Sequence, residues 1–321
     1  MRTRHFWGTA LAAGLALGAS ACGGGGSAAS ADGELEKTEL TVGSLPLADY
    51  AALYWADEKG FFEDAGLDVT IETVQGGPAG VQRVVSGDLD LTNSPAFVAA
   101  TAHDSGLPIR AVVITSALAE DGMGIYVLDG SPIKDLGDLD GTSIGTNTTK
   151  NIGDITFRAQ AKSEGVSVTP KWVEVPFPEM LSGVKAKSID AGYFPEPFAS
   201  QARGAGLRKV VDLTTGPNDG LAAASYLSSE KFVKDNPATT KAFSDAMYAA
   251  GADMAKKEDE VRAWLPSFAK LDKKTANSMP LPAYYGSYDE EGLGRALDIL
   301  KEQDLVKKDL QVNDVYWQPA D

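Results

Sequence analysis

The sequence predicts an α/β protein with two lobes, each a mostly parallel sheet flanked by helices. From Leu40 onward, short apolar segments alternate with helical ones, and the same order returns about 100 residues later. The stretch SGDLDLTNSP (86–95) is matched by AKSIDAGYFPEP (186–197), in which an aspartate again lies inside an apolar pair before a proline. We interpret the two stretches as the step from helix to third strand in each lobe.

The first lobe begins with a strand, LTVGS, and a helix, DYAALYWADE. We expect Asp49 to cap this helix and Gly60 to end it. LDVTIETV alternates apolar and polar residues as a second strand does, and GGPAG is predicted to form a turn. The helix VQRVVSGD, the strand LDLTN, the helix FVAATAHDSG and the apolar strand AVVIT follow.

The second lobe repeats this plan after Gly141. TSIG, VSVTPKWVEV and IDAGYF are predicted strands, and NIGDITFRAQAKSEG and FPEMLSGVKAKS supply the helices between them. An offset of 99–102 residues relates the pairs Val42 and Ile144, Gly66 and Gly165, and Asp90 and Asp190. We expect Asp90 and Asp190 to be architectural, since both lobes share them. Beyond Gly216 the pattern predicts helices, one of which starts at Pro237.

The N-terminus is typical of an exported lipoprotein. A basic head, MRTRH, precedes an uncharged run that is shorter than the roughly 20 residues that span a bilayer, which predicts a signal peptide over 1–21. Cys22, the one cysteine, lies in a stretch that resembles a lipobox, although Ala19 stands where Leu is commonest. The glycine-rich segment over 22–38 is predicted to be a flexible linker, anchored by lipid at Cys22 to the extracytoplasmic side of the cell membrane.

Composition excludes several function classes. Without the signal, 27 basic residues face 45 acidic ones, and such a surface repels nucleic acid. His103 is then the one histidine, so His-based catalytic triads and His/Cys zinc sites are not expected. No phosphate-loop or dinucleotide glycine motif occurs. We therefore predict no enzyme, no catalytic residue, no cofactor and no metal.

Ligands of open parallel sheets bind at the carboxyl ends of the strands, where helix N-termini point their N–H groups outward. Two facing lobes place these ends on opposite walls of a cleft. The ligand-binding candidates of the first wall are Ser44, Asp49, Tyr50, Gly77, Asn93, Ser94 and Ser116. Those of the second wall are Thr146, Asn147, Thr148, Tyr193, Glu196 and Phe198.

Several candidates keep a second interpretation. Asn93 and Ser94 before a proline are also typical helix caps. Glu196 lies between two prolines, either as a ligand contact or as half of a salt bridge on a hinge loop. Tyr50, Tyr193 and Phe198 are suited either to stacking on a ligand or to packing within the protein.

Two runs resemble bacterial extracytoplasmic solute-binding proteins of the nitrate, sulfonate, taurine and pyrimidine-precursor class of ABC transporters. They are ALYWADEKGFFEDAGLDVTIETVQGGPAGVQRVVSGDLDLTNSP, and IKDLGDLDGTSIGTNT followed by IDAGYFPEPF. The likeness covers residues 40–305. It implies a periplasmic-binding-protein-like fold of type II with hinge crossings near 114–117 and 211–215. The first lobe would then comprise 39–115 and 216–321, and the second lobe 116–215.

The resemblance also implies a monomer that captures a small nutrient by hinge closure and delivers it to an ABC permease and its ATPase. Acidic residues on the expected walls, Asp49 and Glu196 among them, disfavour an anion. We therefore rank a neutral or zwitterionic organic solute, including a pyrimidine-like one, before a sulfonate, and nitrate last. A sensor for a signalling partner and an exported enzyme are the alternatives. Relatives that make a thiamine pyrimidine rely on histidine and a cysteine-rich stretch, whereas the lobes contain His103 as their one histidine and no cysteine.

Overall fold

The computed structural model describes residues 34–269 and 271–318. The predicted signal peptide, Cys22 and most of the predicted linker lie outside these residues. The strands are β1 (Glu39–Ser44), β2 (Asp68–Thr73), β3 (Leu91–Pro95), β4 (Ile109–Ala117), β5 (Met123–Leu128), β6 (Ser143–Thr146), β7 (Lys171–Glu174), β8 (Ala191–Pro195), β9 (Leu207–Asp212), β10 (Ala222–Ser229) and β11 (Ala283–Tyr284).

Helices cover both sheets, and in the described part of the chain none is long and apolar enough to cross a membrane. They are α1 (Ala51–Glu58), α2 (Phe61–Asp64), α3 (Gly77–Ser86), α4 (Ala96–Asp104), α5 (Ile152–Ser163), α6 (Phe177–Lys185), α7 (Phe198–Gly204), α8 (Glu230–Asp235), α9 (Pro237–Lys256), α10 (Glu258–Ala269), α11 (Lys273–Ser278), α12 (Glu290–Glu302) and α13 (Val312–Val315).

The strands form two mixed sheets, which confirms the α/β fold class. The first sheet has the order β11-β4-β10-β3-β1-β2 and the second has the order β7-β6-β8-β5-β9. In each, the three strands of the repeated unit pair in parallel. The sheets are more mixed than expected because β10 runs antiparallel to β3 and β4, and β5 runs antiparallel to β8 and β9.

Two equivalent aspartates join the first and third strands of each repeat. Asp90 Oδ2 accepts the backbone N–H of Thr41 at 2.9 Å, and Asp190 Oδ2 accepts that of Ser143 at 2.8 Å. Each aspartate N–H returns a bond to the carbonyl of the same partner, at 2.9 and 3.0 Å. The architectural role predicted for Asp90 and Asp190 is confirmed, since the strands would otherwise begin with unpaired backbone groups.

The contribution of Asp190 to the stability of the protein is expected to depend on pH. Hydrogen bonds from the Ser143 side chain and backbone lower the pKa of Asp190, so its contribution is present above the unfolded-state pKa of about 3.9 and is lost at lower pH. We expect Asp190→Asn to reduce the free energy of unfolding by about 1 kcal/mol at pH 7, a value discounted for exposure. In urea unfolding, the difference from wild type should shrink toward pH 3.

Asp298→Asn is the matched control for this change, because the Asp298 side chain lies exposed on α12 and makes no hydrogen bond or ion pair within the described ranges. It should match wild type at both pH values. A loss for Asp190→Asn that persists unchanged at pH 3 would contradict the proposed role of the ionised carboxylate.

Local structure differs from expectation around the first two helices. Asp49 caps nothing, because a 3₁₀ turn over Ala48–Tyr50 precedes α1, and Tyr50 occupies the N-cap position without a side-chain bond. Gly60, at φ +80°, ends the α1 segment as predicted. GGPAG is not a separate turn: α3 begins at Gly77, with proline in its first turn, where the missing N–H is tolerated.

Two crossings connect the sheets, one between β4 and β5 and the other between β9 and β10. They lie side by side, since the Leu118 N–H donates to the Leu221 carbonyl at 3.0 Å. The carboxyl ends of β1 and β3 and the N-terminus of α3 thereby approach the carboxyl ends of β6 and β8.

Candidate functional site

A buried polar cluster lies where β1 and β3 end. The Ser44 Oγ lies 2.7 Å from the Tyr226 hydroxyl, and the Tyr50 ring packs edge-on against Tyr226 with centroids 5.9 Å apart. Asn93 is only 1% exposed, yet neither its Oδ1 nor its Nδ2 has a hydrogen-bond partner among the residues that the structure describes. An unsatisfied buried amide costs about 1–3 kcal/mol, so Asn93 is the strongest ligand-binding candidate of this wall.

Asp49 and Glu196 face each other from opposite walls and line a cavity of about 10 Å³. Burial and the nearby Glu196 charge raise the pKa of Asp49 to about 7. Burial also raises the pKa of Glu196, against the opposing effect of Arg203 and Ser200. A proton or a cation between these two groups therefore relieves their repulsion.

Glu196 is already bonded within its own wall. Its carboxylate forms a salt bridge with Arg203, and it accepts hydrogen bonds from the Ser200 N–H at 3.1 Å and from Ser200 Oγ at 3.0 Å. Of the two interpretations of this residue, the salt bridge is present in the structure. A ligand contact by Glu196 stays a prediction.

Hydrogen bonds join the two walls. Asn147 Nδ2 donates to the Gln75 carbonyl at 3.1 Å, and the Ala48 N–H donates to the Glu196 carbonyl at 3.3 Å. The backbone at Gly76 comes so close that a Cβ there would lie 2.7 Å from Asn147 Nδ2. A side chain at this position would have to displace the Asn147 amide and the Thr148 hydroxyl of the second wall.

Aromatic rings line the second wall. Tyr193 is buried, its hydroxyl points at Met123 Sδ at 3.4 Å, and its ring fills the space where a Cβ on Gly153 would lie. Burial, with the nearby Asp49 charge, keeps the pKa of Tyr193 far above its usual range. Phe198 is stacked on Phe177 with centroids 5.3 Å apart. Phe198 therefore packs within the protein.

The hydroxyl groups of two further candidates on the first wall donate hydrogen bonds to backbone carbonyls. Ser94 Oγ donates to the Pro95 carbonyl at 3.1 Å, and Ser116 Oγ donates to the Asp49 carbonyl at 3.1 Å. Pro95 is the N-cap of α4 and no side chain caps that helix, so the alternative of capping by Asn93 or Ser94 is wrong.

Polar groups at the start of α5 and α3 also bond locally. Thr146 Oγ1 donates to the Thr148 carbonyl at 3.3 Å, and Thr148 Oγ1 accepts from Asn151 Nδ2 at 2.7 Å. Gly77 opens α3, and a Cβ there would lie 2.9 Å from Pro95 Cδ. These residues shape the walls, and whether they contact a ligand stays a prediction.

Sequence reasoning missed residues that reach the site from distant strands. Tyr226 comes from β10, and Tyr284 from β11 donates to the Ala48 carbonyl at 3.2 Å. The segment AAASYLSS has no regular alternation of apolar and polar residues, so no local pattern indicated the strand that carries Tyr226.

The described residues offer little catalytic chemistry at the cleft. No group of three His, Cys, Asp or Glu side chains in these ranges is arranged to hold a metal ion. His103 lies in the last turn of α4, at the end away from the β3–α4 junction that borders the site.

The chain is similar to known proteins along most of its length. A family model described as NMT1/THI5 like matches residues 48–261. The ligand-binding component of an ABC-type import system from Staphylococcus aureus, with zinc bound, has a TM-score of 0.72 at 14% identity, covering 88% of this chain and 97% of that chain. No curated protein sequence matches the chain.

Two further solved structures share the fold. The alkanesulfonate-binding protein SsuA from Xanthomonas axonopodis pv. citri, bound to MOPS, has a TM-score of 0.71 at 16% identity, covering 88% of this chain and 99% of that chain. The desulfurization enzyme DSZB has a TM-score of 0.62 at 17% identity, covering 87% and 96%. The predicted binding-protein fold is therefore confirmed.

Proposed function

Because the chain belongs to the NMT1/THI5-like family, we propose that it captures a small organic solute outside the cytoplasm and delivers it to an ABC permease and its ATPase. The observation that most directly supports this is the buried, unpartnered amide of Asn93 at the cleft between the sheets. Two solved proteins with this fold are described as an import-system ligand-binding component and an alkanesulfonate-binding protein.

Capture is proposed to occur by hinge closure between a lobe of 39–115 with 216–321 and a lobe of 116–215. The two crossing segments act as the hinge, and the bonds of Asn147 to Gln75 and of Ala48 to Glu196 hold the walls together. A solute stabilises this arrangement only through contacts that it makes with both walls at once. No bond in the solute needs to change.

Two further parts of the proposal concern location and assembly. Export, with lipid attached at Cys22, keeps a monomeric binding protein near its permease, with the segment over 22–38 as the tether. The alternatives are a sensor that presents the ligand-bound form to a signalling partner, and an enzyme, for which DSZB is the precedent on this fold.

A thermal-shift screen of sulfonates, amines, pyrimidines and amino acids tests capture. A solute that binds only the folded state adds about 2.7 kcal/mol when present at 100 times its Kd, which raises the melting midpoint by roughly 5 °C or more. We expect one chemical class to produce such a shift. Chemical turnover of the stabilising solute, followed by mass spectrometry, would instead support the enzyme.

A further inference from the structure

Asp49 is a charged group without a cationic partner in the described part of the chain. Its backbone carbonyl accepts bonds from Thr115 and Ser116, both at 3.1 Å, which hold the 3₁₀ turn in place. Its half-buried carboxyl group faces Glu196, and no Lys or Arg pairs with it. Arg203, which compensates the charge of Glu196, is bonded to Glu196 and to the Tyr126 hydroxyl.

The space between the two carboxyl groups is small. The cavity of about 10 Å³ is otherwise lined by apolar side chains and a glycine, such as Leu118, Gly122 and Met123, none of which has a side-chain N–H or O–H to donate. This volume accommodates about one water-sized group. Arg203 compensates the charge of Glu196 alone, so keeping Asp49 ionised beside Glu196 is costly, and the arrangement suits a small, positively charged donor at Asp49.

A second observation, independent of the acids, also indicates a ligand here. Asn93 is 1% exposed and both of its amide atoms are unpartnered. Asn93 lies near Tyr50, the residue that follows Asp49 in the chain: burial raises the pKa of the Tyr50 hydroxyl, the nearby Asn93 amide lowers it, and the Asp49 charge raises it further.

We propose that the captured solute carries a primary ammonium group that binds directly to Asp49, with Glu196 providing a second negative charge from the opposite wall. This rests on the proposed function and specifies the solute class for the same site. The direct contact of the ammonium group is assigned to Asp49 because the Glu196 carboxylate is already bonded to Arg203. A quaternary ammonium is excluded, since it has no N–H donor and exceeds the cavity.

The proposal makes binding depend on pH. The titratable groups that face Asp49 are Glu196, Tyr50, Tyr193 and Tyr284, and burial raises the pKa of all three tyrosines, which stay neutral. An alkylammonium stays charged to pH 8, as a lysine side chain does. Because the pKa of Asp49 is about 7, affinity for a primary amine should rise roughly tenfold between pH 6 and pH 8.

Matched solute pairs test this with the full chain purified in detergent. Calorimetric affinities are measured for taurine against isethionate and for benzylamine against benzyl alcohol, which differ only in amine or hydroxyl. We expect the amine of at least one pair to bind about tenfold tighter or more. Asp49→Asn should remove both this preference and its pH dependence, whereas Asp57→Asn, on the outer face of α1, should keep both.

Each other result counts against the proposal. Equal affinity for both members of the pairs, or a preference that survives in Asp49→Asn, overturns ammonium recognition and leaves capture of another solute intact. If neither member of any pair binds, the ammonium proposal is rejected, and the wider thermal-shift screen separately decides whether capture is also wrong. Should Asp49→Asn melt without cooperativity, Asp49→Glu replaces it and should weaken the preference through its longer reach.

Discussion

Replacing Asn93 with leucine is expected to weaken solute binding by roughly 10- to 100-fold while leaving the protein as stable as before or more stable. Asn93 pays the desolvation cost of a buried amide without a hydrogen bond in return. Leucine has a similar shape and removes that cost, so the free energy of unfolding should rise by up to about 1 kcal/mol. A solute that bonds to the amide loses about 1.4–3 kcal/mol of binding.

Calorimetry with the best solute of the screen, together with urea unfolding, measures both effects. Asn236→Ala is the matched control, because Asn236 Nδ2 donates to the Phe232 carbonyl at 3.0 Å, far along the chain from the cleft. It should lower stability and leave affinity unchanged, the reverse of Asn93→Leu. A clear loss of stability in Asn93→Leu with unaltered affinity would show that the amide serves the fold and not a ligand.

Replacing Gly251 with alanine is expected to cost about 2–3 kcal/mol of folding free energy and to lower the melting midpoint by roughly 5–10 °C. Gly251 lies inside α9, and a Cβ there would come within 2.1 Å of the Tyr285 carbonyl oxygen. Backbone cannot rotate away as a side chain does. Tyr285 is itself held by its N–H bond to the Thr115 carbonyl at 2.9 Å, so α9 has to shift.

Gly294→Ala is the control for helix propensity, because Gly294 also lies inside a helix, α12, and a Cβ there would meet no atom within 4 Å. It should stabilise the protein by about 0.5–1 kcal/mol, since alanine is the better helix former. Differential scanning calorimetry of both variants compares the expected loss of stability for Gly251→Ala with the expected gain for Gly294→Ala. Equal midpoints for the two alanine variants would contradict the close packing of α9 against the segment after β11.

Much of the fold was predictable because it is encoded locally. The matching stretches 86–95 and 186–197, each with its aspartate, predicted two parallel units. Asp90 and Asp190 do occupy equivalent positions in these units. The strands β5, β9 and β10 were not predicted. They lie outside the repeated order of strands and helices, and each pairs with a strand distant in sequence, as β10 does with β3 and β4.

The site was predictable in outline only. Position at the carboxyl end of a strand singled out Ser44, Asn93 and Glu196 correctly as buried polar residues of the two walls. Which of them has a free polar group depends on partners elsewhere. Glu196 is paired because α7 presents Arg203 to it, while nothing in the described ranges pairs with the amide of Asn93.

The amino-acid pattern by itself determined the α/β class and the repeated unit, because strand and helix periodicity act over a few neighbours. Tertiary structure alone decided that the sheets are mixed, that Tyr226 and Tyr284 join the site, and that Asp49 lies beside Glu196 with no Lys or Arg of the described ranges paired to it. These features depend on charges and hydrogen bonds between segments far apart in the chain, which no local pattern records.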